Sequence, residues 1–216
     1  MLEDRPLKGV VADEIRHRIR VGALGFGERV SDKVLATELR ISRTPVREAI
    51  LQLQSEGLIV VRPRSGTFVF DLSADDLREI CELRGLFEAG AIRMGARQHE
   101  RMVIALAARV AEAALALDAG DFARCEELDA SFHETLIELS ANKYLIESYR
   151  TISDKVRALR SRLPQRRDRI GNAIAQHRRI VDLIAVGHIE AAAEEVTLHV
   201  RNVHTQLMSS QSPEAA

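Results

Sequence analysis

Ser42-Arg43-Thr44-Pro45-Val46-Arg47-Glu48-Ala49-Ile50-Leu51-Gln52-Leu53 carries three signals at once. Ser42 is of the residue type that caps helix N-termini. Pro45 falls in the first turn after it, where a missing N–H costs nothing. Val46, Ala49, Ile50 and Leu53 then recur at helical spacing, so one face turns inward. The leading turn holds two hydroxyls and two guanidiniums, beside the backbone N–H groups and positive dipole end that every helix start presents.

The flanks give this helix its setting. Upstream, Leu7, Val11, Ile15 and Ile19 recur every four residues with Arg16, Arg18 and Arg20 between them, which predicts an amphipathic helix over about 8–22. Gly22, Gly25 and Gly27 end it. Ser31 caps a second helix, with Asp32 in its first turn and Val34, Leu35 and Leu39 as its apolar stripe. Downstream, Gly57 stops the third helix. Ile59-Val60-Val61 and Thr67-Phe68-Val69-Phe70 are β-branched and aromatic and flank Pro63-Arg64-Ser65-Gly66, so they predict a hairpin. Two helices, a tight turn and a two-stranded wing make a winged helix-turn-helix over residues 1–70. A third helix that starts this way suits a major groove. Arginine forks onto a guanine edge, and hydroxyls reach phosphates. Arg62 and Arg64 on the wing extend that reach to a neighbouring groove or backbone.

Charge agrees with this division without proving it. The whole chain nets −1, which by itself implies no nucleic-acid partner. Residues 1–70 hold twelve Lys and Arg against nine Asp and Glu, and the remainder nineteen against twenty-three. A mildly basic front on an acidic rear fits DNA at the front.

Residues 71–216 read as helix throughout. Asp71-Leu72-Ser73 links the parts, and Ser73 is placed to cap the next helix. Ile80, Leu83, Phe87, Ala91 and Met94 mark that helix over about 75–98. Others are predicted over about 101–118, from near Asp121, from after Asn142 to about Leu163 with Pro164 ending it, over about 166–186 and over about 188–209. Connections of two to five residues favour an antiparallel bundle of about six helices. The tail Ser209–Ala216 is expected to be disordered. Cys81 and Cys125 form no C-x-x-C pair and suit reduced, helix-packed thiols. Nothing approaches a membrane-span length of apolar residues, and no signal-like run opens the chain, so a soluble cytoplasmic protein is expected.

Four polar residues sit against apolar faces of this bundle. Asp129 and His133 are four apart and share a helix face with Leu128, Phe132 and Leu136 on its flanks. His177 shares the face of Ile174, Ile180 and Val181. His199 lies beside Val196, Val200, Val203 and Leu207. Buried polar groups need partners. Two solutions stay open on spacing alone: each histidine singly hydrogen-bonded in the core, or mutual ligation of a divalent cation such as zinc, nickel or manganese. His17, His99, His188 and His204 read as ordinary histidines.

Two sets of strings then carry a resemblance. Ser42-Arg43-Thr44-Pro45-Val46-Arg47-Glu48-Ala49, Leu53-x-x-Glu56-Gly57-Leu58 and Arg64-x-Gly66-x-Phe68-Val69 resemble the GntR family of bacterial transcription regulators over nearly all of residues 7–70. Two departures stand out. Phe26-Gly27-Glu28 replaces the usual Pro-Gly-Glu. Leu39-Arg40-Ile41 replaces the usual Leu-Gly-Val, which takes a glycine from the turn and adds a charge on the DNA side. In the rear, Asp76-Leu77-x-Glu79-Ile80, Leu83-Arg84-x-x-x-Glu88-x-x-Ala91, Gly120-Asp121, Leu128-Asp129-x-x-Phe132-His133, Asn142-x-Tyr144-Leu145, Gln176-His177-x-x-Ile180 and His199 resemble the FCD effector domain of the FadR-type branch, over about 74–205. Six helices rather than seven point to the VanR-like subgroup.

The resemblance implies roles. Lys33, Ser42, Arg43, Thr44, Arg47 and Gly66 fall at DNA-contact positions. Asp129, His133, His177 and His199 fall at the metal positions of metal-binding members, with no substitution. Such domains bind small carboxylates or sugar acids against the metal. Arg84 is the best residue left to anchor an anionic effector, since a guanidinium forks onto a carboxylate; its alternative is a salt bridge to Glu88 four residues on. Arg150 and Asn142 are weaker candidates. The expected protein is a ligand-responsive homodimeric repressor with one metal ion per chain, on a pseudo-palindromic operator. A purely structural metal and a metal-responsive regulator are the alternatives. A metal hydrolase is a poorer one: the string after His133 is not H-E-x-x-H, Glu134 points about 100° away, and no nucleophile or phosphate motif is present. The expectation is that the chain is no enzyme.

Overall fold

The computed structural model describes residues 6–163 and 165–211. Its elements are α1 Leu7–Arg20, β1 Arg29–Val30, α2 Asp32–Glu38, α3 Arg43–Ser55, β2 Ile59–Arg62, β3 Gly66–Val69, α4 Ala74–Gly95, α5 His99–Asp118, α6 Phe122–Glu138, α7 Lys143–Arg160, α8 Arg167–Ala185 and α9 Ile189–Gln211, with a single 3-10 turn, Ala96–Gln98, before α5. Two compact units result. One runs to Ser73 and also takes in Asp154–Ser161, the end of α7; the other holds Ala74–Ser153 and the chain from Arg162 on.

The first unit is a winged helix-turn-helix. Val11, Ile15 and Ile19 of α1, Leu35 and Ala36 of α2, and Val46, Ala49, Ile50 and Leu53 of α3 form one core with Leu58, Ile59, Val69 and Phe70. Ala158 of α7 is part of that core. The predicted hairpin forms, with Ile59 opposite Val69 and Arg62 opposite Gly66. The wing is larger than expected: β1 adds to the other edge of β3, so the sheet runs β1-β3-β2. Two residues are too few to show a strand period, which is why β1 is invisible in the sequence.

Helix ends follow local chemistry. Ser31 Oγ accepts from Val34 N–H at 3.4 Å, and Asp121 accepts from Arg124 N–H at 3.0 Å. Asn142 Oδ1 accepts from the N–H groups of Tyr144 and Leu145. Ser42 holds the N-cap position of α3 but makes no side-chain cap bond, contrary to expectation; its hydroxyl stays exposed on the surface. Val34 is also exposed rather than part of the α2 stripe, which rests on Leu35 and Ala36. α7 ends at Arg160, short of the predicted Leu163, and Pro164 lies outside the described residues. α9 runs to Gln211, so the predicted disordered tail begins inside a helix; residues 212–216 lie outside the described residues.

The second unit is a bundle of six α-helices among the described residues, α4–α9. α4 lies along α9, α5 packs on α6 and α8, and α8 on α9. α4 is rotated from its predicted setting. Leu83, Leu86 and Met94 are exposed, and Leu77, Cys81, Arg84, Glu88, Ala91 and Ile92 are buried. The two charged residues among them face inward as an ion pair that neutralises both. Among the described residues, no helix is long and apolar enough to cross a membrane.

Candidate metal centre and DNA-reading face

In the second unit α6 supplies Asp129 and His133, α8 His177 and α9 His199. One ligand atom from each of the four lies within 4.8 Å of the others. His133, His177 and His199 are buried and Asp129 nearly so. His177 Nε2 is 3.2 Å from His199 Nε2 and 3.8 Å from Asp129 Oδ1. Ligand bonds of about 2.0–2.2 Å place neighbouring donor atoms roughly 3–4 Å apart, so these separations suit one small cation. The His177 ring stacks on Phe132, with centroids 4.0 Å apart and planes 6° from parallel.

Outer partners orient the rings. His133 Nδ1 meets Glu88 Oε2 at 2.9 Å, and His199 Nδ1 meets the amide oxygen of Gln176 at 2.9 Å. With Nδ1–H donating, a neutral ring keeps its Nε2 lone pair for the cluster. That is the arrangement metal-binding histidines need. Sequence reasoning saw Glu88 only as a partner of Arg84 and Gln176 only as part of a string. Their bonds to rings 45 and 23 residues away leave no mark in local spacing.

Arg84 lies beside this centre, on the inward face of α4. Its Nε donates to Glu88 Oε1 at 2.6 Å, with the two side chains 1% and 0% exposed. The salt bridge posed as Arg84's alternative role is therefore present. It does not use the whole guanidinium: Nη2 is buried with no hydrogen-bond partner among the described residues. Burial alone would pull the Arg84 guanidinium down, but the charges of Glu88, then Tyr149 and Asp129, push it well above its ordinary value. It stays a cation. Tyr149 Oη donates to the same Glu88 Oε1 at 3.5 Å. Asn142 is spent on capping α7, and Arg150 is exposed.

The residues expected to contact DNA lie in the first unit. Lys33, Ser42, Arg43, Thr44, Arg47 and Arg64 are all exposed, and Gly66 is half-buried. Gly66 has φ +126, and a side chain there would press on Arg29 Nε at 3.0 Å. Arg64 occupies the wing turn at φ 63. Arg62 lies over the Phe68 ring at 4.9 Å. The turn residue Arg40 takes φ 56, so the left-handed geometry of the missing glycine is kept by an arginine. Asp32, which the sequence marks only as a first-turn acid, bonds both Arg43 and Arg47. Hydrogen bonds from Arg43 and then Arg47 hold its carboxyl below the usual carboxylate range.

Known proteins with similar sequences and structures point the same way. "Bacterial regulatory proteins, gntR family" matches residues 7–69, and "FCD domain" matches residues 79–202. The chain is 32% identical to the Nta operon transcriptional regulator of Aminobacter aminovorans, over 84% of this chain and 85% of that one. It is 30% identical to the gluconate operon transcriptional repressor of Bacillus licheniformis, over 63% of this chain and 56% of that one. The solved structure of E. coli McbR/YncC superposes with a TM-score of 0.83 at 20% identity, covering 96% of this chain and all of that one (100%). That last likeness speaks to fold alone.

Proposed function

Because the chain belongs to the GntR family of bacterial regulatory proteins, as a transcription regulator and not an enzyme, with an FCD domain behind its DNA-binding segment, we propose that it is a ligand-responsive repressor. In this reading residues 1–70 bind DNA, and residues 71–216 dimerise and sense a small carboxylate or sugar acid. A homodimer sets one winged helix on each half of a pseudo-palindromic operator, since a lone module buries little DNA surface. Lys33, Ser42, Arg43, Thr44, Arg47, Arg64 and Gly66 contact the duplex.

The observation that carries the sensing half is the convergence of Asp129, His133, His177 and His199 beside the buried Arg84. These four residues would hold one divalent ion, of the zinc, nickel or manganese kind. When bound, such an ion supplies a positive charge that accepts a carboxylate oxygen. The chain's residues do the rest. Glu88 and Gln176 hold two imidazoles in register, Phe132 fixes the third by stacking, and Arg84 Nη2 offers a charged donor to the effector's second oxygen. One relative is named for the gluconate operon, and gluconate is a sugar acid. Effector binding would shift the bundle and release the operator.

A second reading has an observation of its own. At 3.2 Å, His177 Nε2–H can donate directly to His199 Nε2, a satisfied core pair that needs no ion. Elemental analysis of the purified protein beside His177→Ala decides between them. About one equivalent of metal in the wild type, lost in His177→Ala, is expected. Full metal content in the variant refutes the ligand set. Thermal shifts with a panel of small carboxylates then separate a sensing site from a structural metal: no shift in the loaded protein sinks the carboxylate reading.

A further inference from the structure

Asp32 stands at the start of α2, where its charge already suits the helix dipole. It does more than that. Arg43 Nη2 donates to Asp32 Oδ1 and Oδ2, both at 2.9 Å, and Arg43 Nε to Oδ2 at 3.2 Å. Arg47 Nε donates to the same Oδ2 at 2.6 Å. One carboxylate thus gathers two long side chains that are otherwise 51% and 62% exposed. Exposed arginines normally sample many rotamers, and fixing them costs entropy.

We propose that Asp32 is the specificity-determining positioning residue of the DNA-reading face. This rests on the reading of residues 1–70 as DNA-binding. Arg47 engages Asp32 through Nε alone, so Nη1 and Nη2 stay available as a fork for the O6 and N7 acceptors of guanine. Arg43 keeps Nη1. Base edges are neutral acceptors and can be read with both bridges intact. Phosphates are anions. A phosphate taking the same free N–H groups brings its negative charge close to the Asp32 carboxylate and is repelled by it. The carboxylate therefore penalises binding to backbone alone more than binding to the right bases, which is how discrimination is built.

The test uses the full chain and a pool of duplex DNA with a randomised core. Sites enriched by the wild type are compared with unselected duplex by fluorescence anisotropy. For Asp32→Asn, affinity for unselected duplex rises and the discrimination ratio falls about tenfold. The salt slope on unselected duplex steepens by roughly one to two phosphates. Asp32→Glu recovers most of the ratio. A merely structural role at the α2 start would lower the melting temperature and weaken both duplexes alike. A ratio in Asp32→Asn within twofold of wild type overturns the proposal while leaving the DNA-binding reading intact. A wild type that enriches no sequence sinks both.

Discussion

Arg84 with Glu88, and Arg43 and Arg47 with Asp32, are the same chemistry in opposite surroundings. The first pair is 1% and 0% exposed and touches a histidine of the candidate metal centre. The second set lies on an open face, and its arginines are more than half exposed. Burial decides what each can do. In the core, charges must be kept in place because neither tolerates the loss of its partner. At the surface, water replaces a lost partner at little cost, so the contact governs where side chains point. The buried set should therefore show itself in stability and ligand affinity, and the open set in selectivity.

The sharpest way to break that contrast is Glu88→Gln. It strands the Arg84 charge in the core and removes the carboxylate from His133 Nδ1. Urea unfolding should show a loss of ~3–5 kcal/mol. The double variant Arg84→Met with Glu88→Gln should regain most of it, because no uncompensated charge is left. A loss under ~1 kcal/mol in the single variant would mean that water reaches the pair, and the contrast would collapse.

Gln176→Ala acts on the same centre without touching a charge. It leaves His199 Nδ1 without the amide oxygen that fixes its ring. Metal affinity, measured by competition with a chelator dye, should fall ~10–100-fold while the chain stays folded. An unchanged affinity would show that packing alone orients the ring.

These two residues also mark the limit of sequence reading. The DNA-binding unit was readable because its signals are local: periodicity in α1 and α3, caps, stops and a specific string. The four candidate ligands were readable too: spacing left them either a metal cluster or separate core histidines, and resemblance favoured the cluster. What joins them was not. Periodicity assigns charged residues to solvent, so α4 was expected to bury Leu83, Phe87 and Met94. Leu83 and Met94 are instead exposed, and Arg84 and Glu88 took the inward face. There Glu88 meets His133, which lies in another helix and leaves no trace in the α4 pattern. Asp32 escaped for the same cause: its partners lie 11 and 15 residues later, across a turn.

A smaller effect, of opposite sign, is expected at Arg40. α2 and α3 close in the same way. Ile41 N–H bonds Ala36 O at 3.0 Å and Arg40 N–H bonds Thr37 O; Leu58 N–H bonds Leu53 O at 2.9 Å and Gly57 N–H bonds Gln54 O. The residue between must be left-handed in both, with φ 56 at Arg40 and φ 71 at Gly57. An L side chain there costs ~1–2 kcal/mol, partly offset because glycine gains freedom in the unfolded chain. Arg40→Gly should raise unfolding stability by up to ~1 kcal/mol. A loss would mean that the arginine side chain makes up for its backbone.

The smallest stability change is expected at Asp32, and it matters for being small. Asp32→Asn deletes the carboxylate charge that two arginines share, yet chemical unfolding should move by no more than ~0.5 kcal/mol. Part of even that belongs to the α2 dipole rather than to the arginines. Arg43→Ala with Asp32→Asn separates the two, since any dipole share persists when the arginine is gone. If Asp32→Asn cost as much as Glu88→Gln, the open cluster would be holding the DNA-binding unit together. Burial would then no longer separate the two sets, and a fall in DNA discrimination could be blamed on a loosened fold. A near-zero cost alongside lost discrimination would show that the contact acts on the direction of Arg43 and Arg47, which is where a reading face needs it.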